Sequence, residues 1–117
     1  MPYTMLIIEP RGQRAERGPE QGREVYEQML AFGAELKKRG LLIDAQSLKT
    51  DSAGVRLQVR AGKRTLVDGP FSEAKEMIGG FFLLDCQTRE EALEIAAACP
   101  AAQYATIEIR ETGPCFT

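Results

Sequence analysis

Ten consecutive residues, Val67 to Glu76 (VDGPFSEAKE), gather the side chains best suited to chemistry in this chain. Asp68 and Glu73 can move a proton, and Lys75 can hold the carboxylate of a small organic acid. An acid and a lysine this close are the minimum apparatus for isomerising or eliminating from such a substrate, which makes Asp68, Glu73 and Lys75 the candidate catalytic residues. Phe71 could cover the pocket as a lid, Tyr3 could donate a hydrogen bond near the sheet, and Arg11 or Arg14 could reach over from a loop. Tyr3, Phe71, Lys75 and Arg11 are thus the candidate substrate contacts. Each feature also has a structural reading. Asp68 before Gly69-Pro70 suits an Asx-type turn, Phe71 suits an anchor on the core or on a second subunit, and a lysine flanked by acids suits a solvated cluster.

Composition narrows the classes. With 44% hydrophobic and 27% charged residues, the chain has ordinary globular usage and can build a core. One domain over residues 1–117 is the expectation for this length, with a polar loop at 10–22 and a C-terminal tail at 112–117. A net charge of −2 with interspersed signs gives no footprint for direct nucleic-acid or membrane binding. Cys86, Cys99 and Cys115 include no C-x-x-C pair and there is no histidine, so we expect reduced thiols, no metal, no cofactor and a cytoplasmic setting. Neither a signal peptide nor a spanning segment is expected.

Tyr3–Ile8 reads as a strand apolar on both faces. A helix is expected from about Arg23 to Arg39, with Val25, Met29, Phe32, Gly33 and Leu36 on one stripe and Gly40 as its stop. Leu41–Thr50 suits an edge strand. Val55, Leu57 and Val59 alternate with Arg56, Gln58 and Arg60 as a half-exposed strand, and Lys63–Val67 returns as its hairpin partner through a turn with a bulge at Gly62. Ser72 could start a short helical turn. Gly79-Gly80 suggests a bulge or a close backbone approach ahead of the apolar run Gly80–Cys86. Thr88 and Glu91 form a capping box, Pro100 ends the helix they start, and Ala105, Ile107 and Ile109 alternate in a last strand.

This order predicts an α+β ferredoxin-like sandwich: β-α-β, an inserted β-hairpin, then a second β-α-β half, with two helices on one face of an antiparallel sheet. Two helices cover one face only. The other face, apolar at residues 3–8 and 80–84, would be covered by a second copy in a sheet-to-sheet homodimer.

Asp68-Gly69-Pro70-Phe71, with Glu73, Lys75-Glu76, Gly79-Gly80 and Phe81-Phe82 at fixed spacing behind it, resembles the signature of the YCII-related, DGPF-type family of small bacterial proteins. The resemblance runs over most of the chain, including the first strand, the helix ending Leu36-Lys37-Lys38-Arg39-Gly40 and the hairpin. It implies a dimeric α-β barrel of ferredoxin-like subunits but no established activity. Some relatives in the wider superfamily act on muconolactone-like or chlorinated aromatic breakdown products, and a histidine–aspartate pair has been proposed as catalytic in YCII proteins. The pair cannot be carried over to a chain without histidine. Two functional expectations therefore stand: a cofactor-independent lyase or isomerase of a small organic acid, working in an intersubunit cleft, or a non-catalytic dimer that binds a ligand or a regulatory partner, since the family is associated with sigma-factor-dependent transcription.

Overall fold

Strand β1, Tyr3–Pro10, alternates cleanly: Tyr3, Met5, Ile7 and Glu9 are buried, while Thr4, Leu6 and Ile8 are half-exposed. In the computed structural model, which describes residues 1–116, this strand lies inside a four-stranded sheet of order β2-β5-β1-β6. Its neighbours are β2 (Leu42–Ser47), β5 (Glu76–Leu84) and β6 (Thr106–Glu111), and every pairing is antiparallel. The architecture is α+β and is compatible with a ferredoxin-like fold.

Three helices, α1 (Gln13–Glu16), α2 (Pro19–Lys38) and α3 (Arg89–Ala97), complete the fold. Met29, Phe32 and Leu36 from α2 and Ala92, Ile95 and Ala96 from α3 pack with Met5, Ile7, Phe82 and Leu84 from the inner face of the sheet. Phe32 meets Phe82 edge-on, with ring centroids 5.4 Å apart. The Thr88 side chain accepts the Glu91 backbone N–H at 3.1 Å, which is the Thr88 half of the expected capping box. Only Leu36 of the 20 residues of α2 is fully buried. The first turns of α2 therefore touch the sheet loosely, which leaves room between them.

Four expectations need correction. The segment expected as a polar loop at 10–22 holds α1 and the first turn of α2. Gly12, at φ 88°, turns the chain into α1, and Pro19 is pre-organised for the first position of α2. The expected half-buried strand is exposed at all six positions, because β3 (Val55–Arg60) and β4 (Lys63–Asp68) form a separate two-stranded sheet. Their two-residue turn, Ala61-Gly62, has φ of 51° and 75°, the paired left-handed geometry of a tight hairpin and not a bulged turn. Finally, Ser72 opens a simple turn, closed by the Ala74 N–H on the Phe71 carbonyl at 2.9 Å, and no helix follows.

The hairpin stands away from the rest. The radius of gyration is 16.0 Å, against about 13 Å for a compact chain of this length.

Candidate functional site

The alternation that buries Tyr3, Met5 and Ile7 carries Glu9 to the same inner face, where its carboxylate is 6% exposed. A buried charge needs a partner, and α1 supplies Arg14. Arg14 Nη2 donates to Glu9 Oε1 at 2.6 Å, and Nε lies 3.2 Å from both oxygens. The same guanidinium donates to the carbonyls of Leu48 at 2.7 Å and Gly79 at 3.3 Å. It thereby ties β1, the end of β2 and β5 together. Gly79 makes this possible: it is the extra residue of a bulge, between Gly80 opposite Ile7 and Ile78 opposite Ile8. A Cβ at Gly79 would overlap Glu9 Oε1 and sit 2.9 Å from Arg14 Nη2.

Beside this pair, a cleft of about 590 Å³ opens between α2 and the sheet. Val25, Met29 and Gly33 form one wall, and Ile7, Ala45 and Phe82 form the other. Its polar end holds Glu9, Arg14, Arg17 and Tyr104. The Arg17 guanidinium lies over the Tyr104 ring, 4.7 Å from the centroid, and donates to Gln13 Oε1 at 3.2 Å. Gln13 in turn donates to the Tyr104 carbonyl at 2.8 Å. Among the described residues no carboxylate pairs with Arg17. Burial pushes the Tyr104 phenol above its ordinary value, with the Arg17 charge opposing, so at neutral pH its hydroxyl is a protonated donor. Chemically, the cleft offers a largely apolar body, two cations without a carboxylate partner among the described residues, Arg17 at the polar end and Lys37 on the α2 side, a phenol donor and a charge-compensated carboxylate.

The residues singled out from sequence lie elsewhere. Asp68, Glu73 and Lys75 are exposed and line neither this cleft nor the groove below the hairpin. Phe71 is 8% exposed, with the Arg56 guanidinium 3.8 Å above its ring. Arg11 Nε lies 2.8 Å from Asp51 Oδ2, a buried charge contact without hydrogen-bond alignment, and the Arg11 N–H donates to the Lys75 carbonyl at 3.0 Å. Arg11 and the signature loop are thus brought together directly, through the Lys75 and Ala74 carbonyls. Tyr3 is buried at the far end of β1, opposite Leu84 and Glu111. Gly69 has a plain packing reason, because a Cβ there would run into the Asp51 carbonyl. Among the described residues no group of three His, Cys, Asp or Glu side chains is arranged to hold a metal.

Glu9, Arg17 and Tyr104 went unmarked in the sequence. One signal was present for Glu9: an acid in phase with the buried positions of a strand, where a partner is obligatory. Nothing local flags Arg17 and Tyr104, which meet across 87 residues of chain.

Two comparisons relate the chain to known proteins. A family model for the YCII-related domain matches residues 1–114. An uncharacterized protein of Rhizobium meliloti (strain 1021) is 30% identical over 96 residues, covering 82% of this chain and 77% of that protein.

Proposed function

The chain belongs to the YCII-related domain family, and from that premise we propose that it binds a small, largely apolar organic acid in the cleft between α2 and the sheet. The observation that carries this reading is Arg17, a cation with no carboxylate partner among the described residues, set beside Tyr104 at the polar end of a mainly apolar cavity. The guanidinium fork suits a carboxylate, and the walls suit a hydrocarbon or ring. A lyase or isomerase of such an acid also needs a proton donor and a carboxylate facing one cavity, and Tyr104 and Glu9 fill those roles. Glu9 already accepts from Arg14, so its first task is to hold that guanidinium in place.

The protein works, on this reading, as a homodimer of the dimeric α-β barrel kind. The support is the outer sheet face, where Thr4, Leu6, Ile8, Phe81 and Leu83 are half-exposed and lie outside the core cluster that α2 and α3 build with the inner face.

A thermal-shift screen of small carboxylic acids tests the cleft. An acid that raises the melting temperature of the wild type should lose its effect in Arg17→Gln and keep it in Asp68→Asn and Lys75→Met. If the shift survives Arg17→Gln but disappears in Asp68→Asn and Lys75→Met, the ligand belongs at the signature loop. A screen in which no acid stabilises the wild type refutes acid binding.

A further inference from the structure

The β3–β4 hairpin has a surface that its own chain does not use. Val55, Leu57, Val59 and Leu66 are between 54% and 57% exposed. Leu57 pairs directly with Leu66, and Val55 and Val59 flank the pair on the same strand face, so the four form one apolar stripe. A free-standing two-stranded hairpin is marginal in water, and one with an apolar face open to solvent is more so. Something must cover it.

Two observations identify the cover as a second copy of this chain. The first is charge. The hairpin, residues 55–68, carries Arg56, Arg60, Lys63 and Arg64 against Asp68 as its one acid, whereas the remaining 11 cations face 16 acids, a net −5. The hairpin is thus a basic arm on an acidic body. The second is shape. A groove of about 560 Å³, with Lys49, Asp51, Arg56 and Glu76 among its lining, runs from the hairpin base across Val55, Phe71, Met77, Ile78 and Ile8 onto the outer sheet face. There Leu6 lies opposite Phe81 and Thr4 opposite Leu83, with Asp44 and the Glu108–Arg110 ion pair in the same registers at the flanks. Apolar centre meets apolar stripe, and a net-acidic body meets a net-basic arm.

We propose that the β3–β4 hairpin is an exchanged arm that packs its Leu57/Leu66 face on the outer sheet face of a second copy, each copy giving and receiving one arm. A two-fold axis makes such a contact isologous and closed. The arm deepens the homodimer reading above and rests on it; it is independent of the acid-binding cleft.

Sedimentation equilibrium at micromolar concentration on the wild type and on Leu57→Asp/Leu66→Asp separates the two ideas. Both positions are exposed in the single chain, so the variant should keep the far-UV spectrum of the parent. The expected result is a wild-type mass of twice 12.9 kDa and a variant mass of 12.9 kDa. A second variant, Arg60→Glu/Arg64→Glu, should weaken the wild-type dimer at least tenfold, and more so at low salt than at high. A variant pair that stays dimeric alongside a dimeric wild type overturns the arm and leaves the homodimer standing. A wild type at 12.9 kDa, including one whose mass rises only when DNA or another protein is added, overturns both.

Discussion

Alanine at Gly79 is the sharpest test of the knot at the head of the cleft. The added carbon would overlap Glu9 Oε1 and lie 2.8 Å from Glu9 Cδ and 2.9 Å from Arg14 Nη2. Neither side chain can step aside freely: Glu9 is 6% exposed, and Arg14 also serves the Leu48 and Gly79 carbonyls. Gly79 has no positive φ, so alanine meets no backbone penalty and the effect is steric. Straining the bulge would cost about 1–3 kcal/mol. Splitting the ion pair would cost about 3–5 kcal/mol if it were fully buried, but the Arg14 side chain is 34% exposed and water recovers part of that. We expect a loss of about 2 kcal/mol. At ~2.1 cal/mol/K per residue the unfolding entropy of this chain is about 0.25 kcal/mol/K, so the melting temperature should fall by roughly 8 °C. Calorimetry or circular dichroism reads this directly. A Gly79→Ala protein melting within about 2 °C of the parent would refute the close approach. A second arm locates the clash: on a Glu9→Ala background the same substitution should cost less than half as much, because the carboxylate it collides with is gone. Equal costs on both backgrounds would place the collision elsewhere.

Three further outcomes are expected. Thr88→Ala removes the side-chain acceptor of the Glu91 N–H and should lower stability by about 1 kcal/mol, or ~4 °C; an unchanged melting point would deny the cap any role. Burial pushes the Cys86 and Cys99 thiols above 9.0 and the Tyr104 phenol above 10.0, so the folded chain keeps protons that the unfolded chain releases. Their contribution is complete below about pH 9 and is lost as pH rises through the folded values; a melting temperature that climbs from pH 9 to 10.5 would contradict this sign. In native protein at pH 8, Cys115 is exposed and should react with a thiol reagent at once, while Cys86 and Cys99, both buried, should wait for unfolding. Three equal rates would rule that out.

Local patterns carried much of the fold. The strand at β1, the stripe on α2 and the Thr88 cap each follow from composition, periodicity or capping within one segment, and all three are present, although the alternating burial of β1 is not written in its continuous apolar run. The hairpin strands were also legible as strands, but their exposure was not: period-two alternation says which residues share a face and cannot say whether anything packs on it. The segment 13–22 was hidden by its Gly and Pro content, which signals turns in general and a helix start when Gly12 and Pro19 fall where they do. At the site the division is sharper. Gly79 advertised a close approach, and the structure supplies it. Arg17 and Tyr104 come from α1's far end and from the turn before β6, and only the closed sheet brings them together. The conspicuous charges of the signature loop, by contrast, sit on the surface, while its Gly69 and Phe71 pack inward.

The separation of β3–β4 from the main sheet also bears on how the chain closes. Strands β2 and β5 are neighbours, yet residues 48–75 intervene between them. The Gly69 N–H donates to the Gly54 carbonyl at 2.9 Å, so the hairpin pinches itself off at the neck. Once it has zipped, roughly half of that excursion no longer counts as open loop. Loop entropy grows only logarithmically, and each doubling costs about 0.6 kcal/mol, so the saving is small and so is the penalty for changing it. Residues added or removed in matched pairs around Ala61-Gly62 would alter the reach of the arm without shifting a single register in the four-stranded sheet. The chain can therefore vary how far it extends while leaving the cleft between α2 and the sheet untouched.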